Sequence, residues 1–527
     1  MGERRTEERV KSREKVFIFQ LQTPIFKLNY TTMKKIYILI GLIGIITACE
    51  KDLDQVPISD PSVANFYRDT DDFEQAINGT YHTLGDYPAI HFYLSEIRSD
   101  NVYSPGTGVR DWNAVNNFEN TLETNPLMAM AWDVSYQGIF RANTVLDKIN
   151  EELVPDEATR NRIIGEAKFL RALFYFDLVR FFGKVPLYDH VVTPTEALEI
   201  PRSPVEEVYA LIIADLEEAA TLLPPSYTTK GRATSFAAKG ILARVHLARS
   251  GPDYGIEGPG LGVNEYDKAL ALLNEVITSG NYGWVEDYTA IFSYGNENNL
   301  DIVFDVQAID DGATDDRGIG TILPTLMYHE SYGKLYTPFA GGVPGDSPIR
   351  PSEDLMDSYA PEDVRDDMAI LKSFVDENDN TINDPQFVKF LDLNNLPADR
   401  FNWGINFPIL RFTDVLLMKA EALLQTGGSQ TDIDKIVNDV RTRAGLGPVS
   451  DVNLDMLLEE RRREFVAEGL RWHDLVRTGK ALEVMNAWRL ENDVPQVEQV
   501  EANDIIYPIH QTQLEVKDGL YEQNPGY

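Results

Sequence analysis

Residues 161–182 are apolar on nearly every side of a helical projection, running from Ile163 and Ile164 through Phe169, Leu170, Leu173, Phe174 and Phe176 to Phe181 and Phe182. A helix on a protein surface shows one apolar stripe, so a segment like this is stable only when packed by other helices on several sides. The chain supplies them. Val208, Leu211, Ile212, Leu216, Ala219, Leu222 and Leu223 draw a 3.6-residue stripe over 206–223, stopped by Pro224. Ala269, Leu272, Leu273 and Val276 repeat it over 267–277, with Gly280 as the terminating glycine. Residues 234–248 carry Ala237, Ala238, Gly240, Ala243 and Ala248, small enough for neighbouring helices to approach closely. Further helices are expected over 412–424, 432–444 and 454–475. Between about 281 and 410 the pattern fails, leaving loops and one short alternating strand at Asp301–Gln307.

Adjacent helix pairs are similar to tetratricopeptide units. Gly240–Ala248 has a small-residue first helix and Tyr266–Leu270 opens a matching second one. A Gly/Pro loop at 250–263 stretches the spacing beyond the usual repeat of about 34 residues. Such repeats bury a continuous core and, taken alone, suggest a protein-binding scaffold.

The chain's one cysteine, Cys49, closes a different signal. Met33-Lys34-Lys35 is followed by the apolar run Ile36–Ile46 and then Thr47-Ala48-Cys49. A charged start, a short apolar core and a small-residue cleavage point describe a secretory signal, far below the roughly 20 residues that span a bilayer. Ile46-Thr47-Ala48-Cys49 resembles the lipobox of bacterial lipoproteins, in which the cysteine is acylated, as with palmitate, and becomes the mature N-terminus. Met33 is by itself a complete start, so residues 1–32 read as a mis-assigned extension, 33–48 as the signal peptide and 50–58 as a tether. Of 48 Lys/Arg and 84 Asp/Glu, nine and four precede Cys49, leaving a formal charge of −41 on the mature chain. That sign opposes nucleic-acid binding, which draws its affinity from phosphate neutralisation. It also leaves membrane attachment to lipid on Cys49.

Gly165–Phe176 with Gly183-Lys184-Val185-Pro186-Leu187 resembles a signature of the SusD/RagB family. Gly231-Arg232-Ala233-Thr234, Pro351–Leu355, Phe407–Leu417, Glu459–Leu475 and the closing Gln523-Asn524-Pro525-Gly526-Tyr527 resemble others, in order. The resemblance implies a mainly α fold with about four tetratricopeptide-like helix pairs and a loop-rich irregular region with few short strands. Residues 59–280 would form the helical part and 281–527 the C-terminal part of the same body. It also implies a lipid-anchored protein of the outer membrane, facing the exterior, that binds an oligosaccharide or other nutrient and delivers it to a SusC-like TonB-dependent transporter.

The residues themselves support catalysis weakly. No Gly-x-Ser-x-Gly elbow occurs, and the seven histidines show no His-x-x-x-His or His-x-x-Glu-His spacing. Arg411, Asp414 and Glu421, and the pairs Glu459 and Arg463 beside Glu464, read as ion networks fixing helix register. Asp376, Asn378 and Asn380 imitate the first ligands of a calcium loop, yet Thr381 stands at the glycine position and Phe387 at that of the bidentate glutamate. An acidic surface loop fits better, with a weak calcium candidate retained.

Sugar rings have apolar faces and polar rims, so aromatic planes beside amides or Arg are the side chains that suit them. Three groups offer this: Asn101 and Tyr103 with Arg110 and Trp112; Asn402 with Trp403; and Tyr328, Tyr332 and Tyr336. A binding protein would gather these aromatics on one patch, a scaffold would bury them apart, and a surface hydrolase would need a cleft with paired carboxylates.

Overall fold

Helices stand where the patterns over 161–182, 206–223, 234–248, 267–277, 412–424 and 432–444 place them, and local devices set their ends. In the computed structural model, residues 66–527 are described apart from 106–109, 229, 314–317, 340, 493 and 495–496. Cys49, the signal segment and the tether lie outside the described residues. Tyr67–Tyr527 form one unit. Helix α1 (Thr70–His82) starts on Asp69, whose carboxylate accepts the amides of Asp71 and Asp72. It is followed by α2 (Asp111–Asn117), α3 (Pro126–Lys148) and α4 (Glu157–Phe182). Helix α4 is the all-round apolar segment; Asp156 caps it by accepting the Thr159 amide at 2.8 Å. Gly183 stops it at φ +67°, where a Cβ would stand 2.0 Å from the Glu257 carbonyl oxygen.

Helices α5 (Val205–Leu222), α6 (Ser235–Ser250) and α7 (Tyr266–Thr278) continue the array. Each helix from α3 to α7 packs on the next. After the irregular residues, which include the short helix α8 (Glu330–Tyr336), α9 (Phe412–Thr426) rejoins by packing on α7, and α10 (Gln430–Arg443) packs on α9. The fold is therefore mainly α, with strands confined to short antiparallel pairs. Strand β1 (Val102–Tyr103) pairs elsewhere in the chain, as described below, while β2 (Ile302–Val306) lies among the irregular residues. After the short strands β3 (Arg350–Pro351), β4 (Phe374–Val375) and β5 (Thr381–Ile382), β6 (Phe407–Arg411) pairs with β2, Phe407 opposite Val306 and Arg411 opposite Ile302. Among the described residues no helix is long and apolar enough to cross a membrane.

Two expectations are corrected. The single helix expected over 454–475 is two, α11 (Leu454–Glu464) and α12 (Arg471–Arg477), broken by a turn with positive φ at Ala467 and Gly469. The turn aims the amides of Ala467 and Gly469 at the buried carboxylate of Glu96, at 2.8 and 3.1 Å. The ion pairs also differ from the sequence pattern. Arg463 pairs with Glu460 rather than Glu459, and Arg411 ends β6 instead of sitting beside Asp414 on a helix. Arg411 joins Asp301 at 2.7 Å, Glu468 at 2.8 Å and Glu464 at 3.1 Å, while Asp414 serves Arg461 and Arg244. Glu464 also meets Arg443 at 2.6 Å and Arg365 at 3.3 Å. Burial opposes its charge, yet these guanidiniums hold its carboxyl down at about 2. The cluster ties the irregular residues to α10 and α11.

Candidate functional site

Strand β1 carries the first aromatic group into the irregular region by pairing with β3, Tyr103 opposite Arg350. The residues before it are anchors. Burial would raise the Asp100 carboxyl, but the Arg462 and Arg471 charges hold it at about 2, and Arg471 grips it with two bonds of 2.8 and 2.7 Å. Asn101 is fully buried; its amide nitrogen donates to Glu96 at 2.8 Å and its oxygen accepts from Arg462 at 2.8 Å. The ligand role expected for Asn101 is thus replaced by a structural one, because no part of it reaches solvent.

Tyr103 is half-buried and Arg110 exposed. Trp112, in the first turn of α2, is half-buried and lies parallel to Tyr93, ring centroids 6.2 Å apart and planes 11° from parallel. Its indole N–H donates to the Ser347 carbonyl at 3.2 Å. Asn113, fully buried, donates to the Ser104 hydroxyl at 2.7 Å and accepts from the Arg110 amide at 3.0 Å. The platform is therefore fixed from below by side chains that are themselves fully bonded.

The segment 343–351 links this group to the tyrosines. His329 is buried, its ring contacting the Ile349 carbonyl at 3.0 Å and Asp384 at 2.9 Å, and Asp384 in turn meets Arg350 at 3.1 Å. Part-burial opposes the Asp384 charge, but His329 and Arg350 hold its carboxyl at about 2. In α8, Tyr332 and Tyr336 stack at 4.5 Å, and the Tyr336 hydroxyl donates to the Val375 carbonyl at 2.6 Å. Tyr336 is 36% exposed and Tyr332 only 7%. Tyr328 lies between Tyr332, at 6.3 Å, and Trp403, at 6.4 Å.

Trp403 and Asn402 are wholly interior, which corrects the expectation for both. The Trp403 N–H donates to the Thr325 hydroxyl at 2.9 Å. Asn402 accepts the Gly320 amide at 2.7 Å and donates to Asp311 at 2.7 Å. Trp112, Tyr328, Tyr332 and Trp403 thus share one apolar core, while Tyr103 packs against a separate cluster; of the candidate residues only Arg110, Trp112, Tyr103 and Tyr336 keep appreciable exposure.

The calcium-like stretch is the loop of a hairpin between β4 and β5. Asp376 turns inward, accepting the Asn378 and Asn380 amides at 2.8 Å each and the Asn380 side chain at 3.0 Å. The candidate ligands Asp376 and Asn380 are therefore spent on each other. Among the described residues no three His, Cys, Asp or Glu side chains are grouped to hold a metal.

Sequence reading missed a cleft of about 760 Å³ between the end of α1 and the residues following β2, lined by Tyr81, His82, Arg232, Gln307, Ile319 and Phe401. Only tertiary packing assembles it. Asp305 also lines it, a buried carboxyl that desolvation pushes up to about 7.

Residues 53–247 match a SusD-like family described as starch-binding and associating with the outer membrane, and 375–527 match the SusD family. SusD-like protein P38 of Formosa agariphila is 30% identical over 497 residues, 85% of this chain and 91% of that protein. Starch-binding protein SusD of Bacteroides thetaiotaomicron is 25% identical over 443 residues, 74% and 76% of the two chains. Surface glycan-binding protein A of Bacteroides thetaiotaomicron, solved with laminarihexaose, superposes with a TM-score of 0.71 at 25% identity, over 86% of this chain and 99% of that one.

Proposed function

The chain belongs to the SusD/RagB family, and from that premise we propose that it is an oligosaccharide-binding lipoprotein of the outer membrane. It holds a glycan reversibly, leaves it unaltered and passes it to a TonB-dependent transporter. Relatives named for starch and for glycans support the ligand class. The observation that carries the reading is the Tyr93–Trp112 stack, locked through Ser347 and with the exposed Arg110 two residues away. A fixed aromatic plane beside a multi-donor cation suits the apolar face and hydroxyl rim of a sugar, and its rigidity limits the entropy lost on binding. Tyr336, stacked on Tyr332, provides a further partly exposed ring in the irregular region.

The ligand assignment is tested by titrating laminarihexaose and soluble starch into the purified protein and its Trp112→Ala variant. Loss of at least ten-fold in affinity, with an unchanged far-ultraviolet spectrum, is expected for the glycan that binds. Full affinity in the variant overturns the placement. For the anchor, Cys49→Ser is expected to move the protein from membrane to soluble fractions. For the partner, the transporter is expected to co-purify with wild type from native outer membranes.

A further inference from the structure

A cleft of about 440 Å³ opens between α3, the C-terminal residues 513–521 and the loop at 188–192. It shares no residue with the aromatic groups described above. Its floor and walls are aromatic. Trp132 and Tyr136 lie 5.0 Å apart, Tyr136 and Tyr188 5.5 Å, and Trp132 and Tyr521 6.4 Å. The walls are braced from behind: the Tyr136 hydroxyl donates to the Pro186 carbonyl at 2.7 Å, and Asn143 donates to the Tyr188 carbonyl at 2.9 Å. The Tyr188 and Tyr521 hydroxyls meet at 3.4 Å. Asp133, Gln137 and Phe140 follow at i, i+4 and i+7 on α3, so one face of that helix presents them together, and all three are exposed. Phe140 is 49% exposed, although an isolated phenyl ring gains nothing from water.

We propose that this cleft is a second carbohydrate-binding site, taking a short stretch of neutral oligosaccharide. Its volume lies within the range of small-ligand pockets, and aromatic faces alternate with amide, carboxylate and hydroxyl groups around it. The lining holds no Lys or Arg, and its one imidazole, His190, is engaged by Asp189 at 2.6 Å. An anionic ligand would therefore find no cation to compensate its desolvation, whereas a neutral sugar needs none. The ligand class rests on the glycan-binding reading above; the site does not.

The test is a calorimetric titration of laminarihexaose or soluble maltohexaose into wild type, Trp112→Ala, the double variant Gln137→Ala/Phe140→Ala, and the combined triple variant. The substituted side chains of the cleft are on the surface, and an unchanged melting temperature checks the fold. Wild type is expected to show two classes of sites. The cleft variant should lose one, at least five-fold in affinity, and Trp112→Ala the other, with the triple variant losing both. A single class of sites that Gln137→Ala/Phe140→Ala leaves intact overturns the cleft while Trp112 stands. If the cleft variant binds glycan normally but no longer co-purifies with an outer-membrane partner, the occupant is protein and the proposal fails. Absence of glycan binding in wild type overturns both readings. As a second probe, Tyr188→Phe keeps the ring and removes a hydroxyl, so it should weaken only the cleft's class of sites.

Discussion

Trp112 and Ser347 lie 235 residues apart in the chain, and the indole N–H of the first donates to the carbonyl of the second at 3.2 Å. That bond orients the half-buried ring against Tyr93. Trp112→Phe keeps an aromatic face and deletes the donor, at a cost of about 1 kcal/mol for one neutral hydrogen bond. Glycan affinity is expected to fall a few-fold, less than for Trp112→Ala, with little change in melting temperature. An affinity equal to that of wild type would show that the Ser347 bond does not orient the ring for its ligand. Calorimetry on the two variants decides it.

Asn101 separates structural from binding roles. Its amide joins Glu96 to Arg462 with no exposed surface, so Asn101→Ala strands a buried guanidinium N–H and leaves the Glu96 oxygen with the Ala467 amide alone. A destabilisation of about 2–3 kcal/mol is expected in urea unfolding. The folded fraction should bind glycan with wild-type affinity. A variant of normal stability and lost affinity would return Asn101 to the ligand site.

Helical periodicity made α4 to α7, α9 and α10 legible, because each carries either a clean stripe or an unbroken apolar surface. Helix α3 carries no such stripe because Ser135, Gly138, Asn143 and Thr144 interrupt it. Gly138 is small for a reason no periodicity reveals: a Cβ there would stand 2.1 Å from the Phe174 ring of α4. Strand β6 runs directly into α9, buried at every position, so it shows no alternation to read. In the site, residue type was informative but exposure was not. Trp112 follows Arg110-Asp111 and Trp403 follows Arg400-Phe401-Asn402, yet one half-faces solvent and the other is sealed by Thr325, Tyr328 and Phe339. Only the packing of distant segments distinguishes them.

Glu464 is the shared acceptor of Arg411, Arg443 and Arg365 in the core. Glu464→Gln removes the charge while keeping the shape, leaving those guanidiniums under-compensated; a loss of about 3–5 kcal/mol is expected. The native carboxyl titrates at about 2, below its unfolded value, so its contribution is complete above about pH 4.5 and vanishes as pH falls through 2. Wild type should therefore lose stability steeply between pH 4.5 and 2, and Glu464→Gln less steeply. Parallel slopes in acid urea titrations would remove Glu464 from the network's electrostatics.

Asp305 has the opposite sign. It is 3% exposed, and its partners are the amides of Gln307 and of Asn406, at 3.1 Å for the latter, rather than cations. Burial pushes its carboxyl up to about 7, and Glu297 adds to the rise. The folded state therefore holds a proton that the unfolded chain releases near pH 4. Its stabilising contribution is complete below about pH 4 and is lost as pH rises through 7. At about 1.4 kcal/mol per unit, the ionised group costs the fold up to about 4 kcal/mol above pH 7. Asp305→Asn cannot ionise, so its stability relative to wild type should increase between pH 4 and 8. Urea midpoints for both proteins at pH 4.5, 6 and 8 measure this difference directly, and carboxylates titrating elsewhere cancel in the comparison. A relative stability that stays constant across that range would mean Asp305 is already ionised in the fold and receives its compensation from water in the adjoining cleft.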